Sequence, residues 1–343
     1  MFERQRFTAR IRVEDKKIAQ IIIARLDGKN INKKFNYYQS LVKKGIGGFI
    51  IFGGKLKEVS RAIKRLQNYT EIPLFIASDL EQGLGQHVEG GTLFPPAMAI
   101  GQAINQKNRN DIALLRKSIS IIAQETKAAG INTIFAPVLD VNTNIKNPVI
   151  GDRSFSHNPS RVAQLGTALI CGLQENGIIA CGKHFPGHGD TYRDSHTSLP
   201  TLPHTMARLE TIELVPFIAA IEAGVRSIMT AHIIFDGIDH NMPATMSVPI
   251  IGKLLRQDLN YNGVVFTDDL NMSAISKKWT LSEACLNSLQ AGCDICLICR
   301  DNARQKEAIE YVANAAASGK LPESLIKTAY RRISTKLFDF IEK

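Results

Sequence analysis

Ile178-Ile179-Ala180-Cys181-Gly182-Lys183-His184-Phe185-Pro186-Gly187-His188-Gly189-Asp190-Thr191-Tyr192-Arg193-Asp194-Ser195-His196 reads in two halves. The first four residues are an apolar run of strand length. From Gly182 onward, fifteen residues hold three histidines, two aspartates and one lysine, punctuated by three glycines and a proline. An apolar run that stops at a polar, Gly-rich segment reads as a buried strand entering a loop of fixed shape. Loops on a rigid scaffold hold most catalytic groups, and this density of titratable side chains favours a site over a solvated surface loop.

The same grammar repeats on both sides. Upstream, residues 21–24, 48–52, 74–78 and 133–136 are short apolar runs; downstream, residues 226–232, 263–269 and 293–299 follow. Segments of helical pattern lie between them, among them residues 34–44, closed by Gly45, and residues 110–129. Near-continuous apolar strands separated by helices predict a parallel sheet covered on both faces. Eight such units fit an α/β fold of one kind, a single (β/α)8 TIM-type barrel over residues 1–343, with its site at the C-terminal strand ends. An open doubly wound sheet would instead place a ligand at one switch point. Asp79, Lys183, His184, His232 and Asp268 stand at the ends of four different runs, which favours the barrel. Residues 322–343 read as an amphipathic C-terminal helix packed on the outside.

Of the 343 residues, 44% are hydrophobic and 22% charged, the balance of a folded chain. No run reaches the ~18 apolar residues of a membrane span, and residues 1–20 lack the apolar region of a signal peptide. The expectation is a cytoplasmic protein without a membrane partner. The net charge of +10 is uneven: residues 1–70 carry 17 Lys/Arg against 5 Asp/Glu, and residues 71–343 carry 25 against 27. These basic residues are scattered rather than blocked with aromatics, which reads as a solvated face and predicts no nucleic-acid partner. Cys293, Cys296 and Cys299 have the spacing of an iron–sulfur ligand set. They sit in a run of strand length, where residues three apart face opposite ways, so they read as buried small hydrophobes.

Two aspartates close the seventh run, in Thr267-Asp268-Asp269-Leu270-Asn271-Met272. An aspartate at a strand end serves as nucleophile, general base or metal ligand, and equally as the cap of the next helix. The pair predicts one carboxylate facing the mouth and one serving structure, without saying which. Asp194-Ser195-His196 places a carboxylate two residues before a histidine. There it can accept the imidazole N–H, fix the tautomer and raise the pKa of an oriented acid/base. An Asx-turn is the other reading.

KHFPGHGDTYRDSH at 183–196 and VVFTDDLNM at 264–272 together resemble the bacterial β-N-acetylhexosaminidases of glycoside hydrolase family 3. PLFIASDLEQG at 73–83, FPPAMAIG at 94–101, FAPVLDVNTN at 135–144, NPVIGDRSF at 147–155, MTAHI at 229–233 and PATMS at 243–247 extend the likeness over most of the chain. The resemblance implies a TIM-type barrel with Asp268 as nucleophile, His196 as acid/base and Asp194 as the partner of that histidine. It implies a grip on a non-reducing N-acetylglucosamine by Asp79, Arg153, Lys183 and His184. The implied chemistry is a two-step hydrolysis through a covalent glycosyl-aspartate with retention, needing no metal or cofactor. A histidine as acid/base departs from the usual pair of carboxylates. The implied partner is carbohydrate, in peptidoglycan recycling a fragment joining N-acetylglucosamine to 1,6-anhydro-N-acetylmuramic acid. A monomer is expected.

The family's D-x-E-G-G-R reads Asp79-Leu80-Glu81-Gln82-Gly83-Leu84 here. The exchanges at Gln82 and Leu84 spare the hydrolytic groups and bear on aglycone preference and loop geometry. A β-glucosidase, or a phosphorylase using phosphate in place of water, is the alternative on the same scaffold. A metal-dependent hydrolase using His184, His188 and His196, with Asp190 and Asp194, is the alternative of another class. His184 and His188 are four apart, a zinc-binding spacing on a helix, but Pro186, Gly187 and Gly189 break any helix there. A silent sugar-binding protein would not need both nucleophile and acid/base.

Overall fold

The structure, a computed structural model, describes residues 19–105, 107–192, 194–195, 198–299, 302–338 and 340. Eight parallel strands close a barrel in the order β1 (Ile22–Asp27), β10 (Ile295–Ile298), β9 (Val264–Asp269), β7 (Ser227–Thr230), β5 (Ile179–Phe185), β4 (Thr133–Ile134), β3 (Phe75–Ser78) and β2 (Gly48–Phe52), which pairs back to β1. Each falls on one of the eight apolar runs, and the fold is the (β/α)8 barrel that they predict. Two further strands, β6 (Thr201–Leu202) and β8 (Ile234–Phe235), pair outside it. A two-residue strand leaves no period to read, and neither is expected from the sequence.

β3, β4, β5, β7 and β10 are buried at every residue, as a sheet filled within and covered by helices requires. β1 breaks this rule: Arg25 is exposed between buried Ala24 and Leu26. The covering helices include α1 (Phe35–Lys43), α2 (Leu56–Gln67), α3 (Ala97–Ala103), α4 (Arg109–Ala128), α5 (Pro159–Glu175), α6 (Met206–Thr211) and α7 (Leu214–Glu222). Three of them start where a side chain satisfies a free N–H group: Asn108 accepts from Asn110 at the head of α4, Asn158 from Arg161 at the head of α5, and Thr205 from Arg208 at the head of α6. α2 buries Val59, Ala62, Ile63 and Leu66, one stripe at helical spacing.

Past β9 come α8 (Ser273–Ser276), α9 (Leu281–Ala291), α10 (Asn302–Ala317) and α11 (Glu323–Ile333). α11 is the expected outer helix; it buries Ile326, Ala329 and Ile333 and runs on in wider turns to Phe338. Arg332 ties it to the barrel through Asp294 Oδ1 at 3.0 Å, and Asp294 Oδ2 accepts from Arg256 at 2.5 Å and from the Val265 N–H at 2.9 Å. Cys293 and Cys296 are buried, and their thiols face the carbonyls of Thr245 and Cys285, the hydrophobe's role expected of them, whereas Cys299, just past the end of β10, is only half-buried. Among the described residues no helix is long and apolar enough to cross a membrane.

Candidate active site at the C-terminal mouth of the barrel

Lys183 and His184 belong to the last three residues of β5, so the strand itself delivers both side chains to the barrel mouth. The strand is held there by the chain after β4: the Leu139 N–H donates to the Lys183 carbonyl and the Lys183 N–H to the Pro137 carbonyl. Lys183 is 2% exposed, and its Nζ lies 2.7 Å from both Asp79 Oδ1 and Glu81 Oε1. Arg153, in the single turn Gly151–Arg153, meets the same Glu81 carboxylate with two bonds, 2.9 Å from Nε and 2.7 Å from a terminal nitrogen. Two carboxylates thus answer two cations. Burial alone would raise the Glu81 pKa, but the Lys183 ammonium and the Arg153 guanidinium outweigh it and hold it far below the carboxylate range. Burial opposes the charge on Lys183 too, and Asp79 and Glu81 more than compensate, keeping its pKa above the ordinary value.

A stability prediction follows from this cluster. Glu81→Gln leaves Lys183 buried with one carboxylate fewer and is expected to cost about 3 kcal/mol. The pH dependence has a definite sign. Because the folded-state pKa is depressed, the contribution of Glu81 is complete above the unfolded value of ~4.3 and is lost as pH falls below it. Denaturant unfolding between about pH 5 and pH 3 should therefore show wild type losing stability faster than Glu81→Gln. Parallel losses would refute the coupling.

His184 is aimed by Asp140. Its Nδ1 lies 2.7 Å from Asp140 Oδ2, while Asp140 Oδ1 accepts the backbone N–H groups of His184 and His188 at 3.1 and 2.7 Å. Burial would raise the Asp140 pKa, yet His184, its hydrogen bonds and His188 hold it below the ordinary value. The carboxylate therefore accepts from Nδ1–H, and Nε2 is the polar atom that His184 has left for a ligand. His188 differs. Burial and the neighbouring His184 ring push its pKa down to about 4, and its ring nitrogens lie 3.0 Å from the hydroxyls of Thr191 and Ser195. With both nitrogens used this way it has no ring lone pair turned to an ion shared with His184, and among the described residues no three His, Cys, Asp or Glu side chains group as metal ligands.

The loop after β5 rests on a shelf made by residues 140–147. Asn147 donates to the His188 carbonyl at 2.8 Å, Asn144 to the Thr191 carbonyl at 3.0 Å, and Thr143 to Asp190 Oδ1 at 2.9 Å. A Cβ on Gly189 would collide with the Val141 carbonyl, so only glycine lets the loop settle this closely. At its far end, His204 Nε2 lies 3.2 Å from Asp190 and 3.7 Å from Glu213 without aligning to bond either, while Arg208 grips Glu213. Ser195 is tied from the other side by the Ala274 N–H, which donates to its carbonyl at 3.3 Å. His196 lies outside the described residues. Asp194 is half-buried, and its carbonyl accepts from the Ser198 N–H.

The adjacent aspartates of β9 separate cleanly. Asp269 Oδ1 accepts the N–H groups of Asn271 and Cys299 and the Asn271 side-chain amide, so it shapes the turn, and burial raises its pKa. Among the described residues Asp268 accepts its neighbour's N–H at 2.7 Å and no other hydrogen bond. Burial would raise Asp268, but His232, His184, that N–H and Lys183 together hold its pKa below the ordinary value, so it stands ionised in the mouth. His232 clamps this strand end by donating from Nε2 to the Asp269 carbonyl at 3.0 Å, with Thr245 Oγ1 2.8 Å from Nδ1; burial pushes its pKa down.

Two connected cavities meet at Asp268. One, of about 310 Å³, is lined by Asp79, Glu81, Gln82, Arg153, Lys183, His184, Ser195 and Asp268. The other, of about 620 Å³, shares Phe52, Asp79, Gln86, His87, Met229 and Asp268 with it and extends to Arg25 and Lys29. Their sizes are those of small-molecule sites. The structure therefore brings together Asp79, Arg153, Lys183, His184 and Asp268, drawn from the ends of three strands and one turn. Glu81 and Asp140 are site residues that the sequence reading did not single out. Each follows a strand as an acidic residue, a signal that fits a helix cap equally well. Leu84, at the place of the family's arginine, is fully buried, while Gln82 lines the smaller cavity.

The family described as "Glycosyl hydrolase family 3 N terminal domain" matches residues 13–336. A "Beta-hexosaminidase A" of Pseudoalteromonas piscicida is 36% identical over 84% of this chain, which spans only 52% of that relative. A "Beta-hexosaminidase" of Neisseria meningitidis serogroup A is 34% identical, with 85% of each chain covered. The structure of a glycoside hydrolase family 3 β-N-acetylglucosaminidase from Paenibacillus sp. str. FPU-7 superposes with a TM-score of 0.87 at 38% identity, over 93% of this chain and 61% of that one.

Proposed function

The chain belongs to glycosyl hydrolase family 3, and from that membership we propose that it is a retaining exo-β-N-acetylglucosaminidase. The observation that carries this reading is that ionised Asp268 lines the cavity where Lys183, Arg153 and His184 converge. Lys183, Asp79, Arg153 and Nε2 of His184 present donors and acceptors to sugar hydroxyls. Holding the non-reacting hydroxyls lets remote binding energy serve the transition state. Asp268 attacks the anomeric carbon, and the C–O bond to the leaving group breaks as its oxygen takes a proton from His196. Water, giving its proton to His196, then displaces the carboxylate and releases the sugar with retained configuration. His232, His184, the Asp269 N–H and Lys183 together keep Asp268 ionised and therefore nucleophilic.

The substrate in this reading is a peptidoglycan-derived fragment joining N-acetylglucosamine to 1,6-anhydro-N-acetylmuramic acid. The names of the relatives support the sugar, and the membership supports the chemistry. A panel of aryl β-glycosides tests it: the N-acetylglucosaminide should be cleaved at least about tenfold faster than the glucoside and the N-acetylgalactosaminide. The product should be free sugar. Faster cleavage of the glucoside, or release of sugar 1-phosphate when phosphate is added, would replace this reading by the β-glucosidase or the phosphorylase.

A further inference from the structure

Asp190, His204, Arg208 and Glu213 form a charged cluster that the sugar grip does not use, and none of them lines either cavity of the mouth. The cluster joins two stretches of chain held by different parts of the barrel. The outgoing stretch, up to Thr191, rests on the shelf after β4, where Asn144 donates to the Thr191 carbonyl at 3.0 Å and Thr143 to Asp190 Oδ1 at 2.9 Å. The returning stretch, from Pro200 to His204, lies along the segment after β7. There the Ile234 N–H donates to the Pro200 carbonyl at 3.0 Å and the Asp236 N–H to the Leu202 carbonyl at 2.9 Å. A Cβ on Gly237 would lie 2.5 Å from the His204 carbonyl, so this contact too is open only to glycine.

The two stretches touch through side chains. Asp190 Oδ2 lies 3.2 Å from His204 Nε2 and 3.9 Å from a terminal nitrogen of Arg208. Arg208 bonds Glu213 from Nε at 3.2 Å and from a terminal nitrogen at 3.0 Å, and that nitrogen lies 3.4 Å from Thr143 Oγ1. Glu213 is buried against the outgoing stretch: a Cβ on Gly187 would lie 2.8 Å from its own Cβ. Buried polar atoms without a hydrogen bond are uncommon, and His204 Nε2 is one, retained where the stretches meet and facing both carboxylates. Asp190 is the residue in contact with both sides, the shelf through Thr143 and the returning chain through His204 and Arg208. Charge-assisted contacts that are partly shielded from water hold such a junction more firmly than neutral ones.

In sequence, His196 lies between these two stretches. We propose that Asp190, with Thr143 and His204, is a positioning residue for the proton transfer assigned to His196: it fixes the spacing of the two stretches from which the intervening chain departs. The proposal rests on the acid/base reading of His196, and it adds that residues remote from the substrate set the efficiency of that step. The leverage is large, because a misplacement of about 1 Å costs up to about 10²-fold in rate.

Asp190→Asn keeps the volume of the side chain and removes its charge. It should lower kcat/KM about tenfold for an alkyl N-acetyl-β-glucosaminide, whose leaving oxygen must be protonated, and by less than about twofold for the dinitrophenyl glycoside. Thr143→Val removes one hydroxyl bond to Asp190 without touching a charge. It should show the same split at about threefold, and it decides the matter if Asp190→Asn does not fold. In a His196→Ala background, adding Asp190→Asn or Thr143→Val should change neither substrate further, because the group being positioned is gone. An equal fall on both substrates, an undiminished further fall in the His196→Ala background, or no change on the alkyl glycoside overturns the proposal. If His196→Ala alone does not separate the two substrates, the acid/base reading itself falls, an outcome independent of Asp190.

Discussion

Asp268→Ala is expected to lower hydrolysis of an aryl N-acetyl-β-glucosaminide by on the order of 10⁴-fold or more, with the fold intact. No other carboxylate in the cavity is free to replace it. Asp79 and Glu81 are held by Lys183 and Arg153, Asp140 by His184 and two backbone N–H groups, and Asp269 by its own turn. Among the described carboxylates of the mouth, half-buried Asp268 is held ionised and accepts its neighbour's N–H with one oxygen. The loss should therefore be chemical, with the binding of a thioglycoside retained. Azide offers a second readout. It can enter the space that the carboxylate leaves and attack from the same face, giving the α-glycosyl azide by a single inversion. Activity above a few per cent of wild type, in a preparation free of wild-type enzyme, would place the nucleophile elsewhere.

His196→Ala should separate substrates by their leaving groups. The first step, read as kcat/KM, is expected to fall on the order of 10³-fold for an alkyl glycoside, whose departing oxygen must be protonated. For a dinitrophenyl glycoside, whose anion departs unaided, the same ratio should fall by less than about tenfold. The local framework supports this assignment. Ser195, immediately before His196, lines the smaller cavity; its hydroxyl lies 3.0 Å from His188, and its carbonyl is held by Ala274. His188 is no substitute, because its depressed pKa leaves it unprotonated at neutral pH. Equal losses on the two substrates would show that His196 serves the loop's structure and not proton transfer.

Much of the architecture is legible before folding. Apolar runs of strand length, stopped by polar residues and separated by segments of helical period, are local properties, and they locate all eight barrel strands within a few residues. Capping is local too: Asn108 and Asn158 each accept an N–H within three residues at the heads of α4 and α5. The motif from Lys183 to His196 and the aspartates of Thr267-Asp268-Asp269 carry the resemblance to the glycoside hydrolases of family 3. They do so because residue types with few other uses crowd where strands end. The two-residue strands β6 and β8 escape because pairing, and no pattern of their own, makes them strands.

The letters alone determined that this chain is a parallel barrel of family 3 type with its polar groups gathered at one end. Tertiary structure decided how those groups divide the work. Lys183 meets an aspartate 104 residues away, and Arg153 a glutamate 72 residues away. Such pairings are set by which strand ends become neighbours when the barrel closes, a global constraint that no window of sequence contains. Closure also chose between Asp268 and Asp269. In a strand, adjacent side chains point to opposite sides, so one carboxylate turned to the backbone of the next strand while the other was left in the mouth.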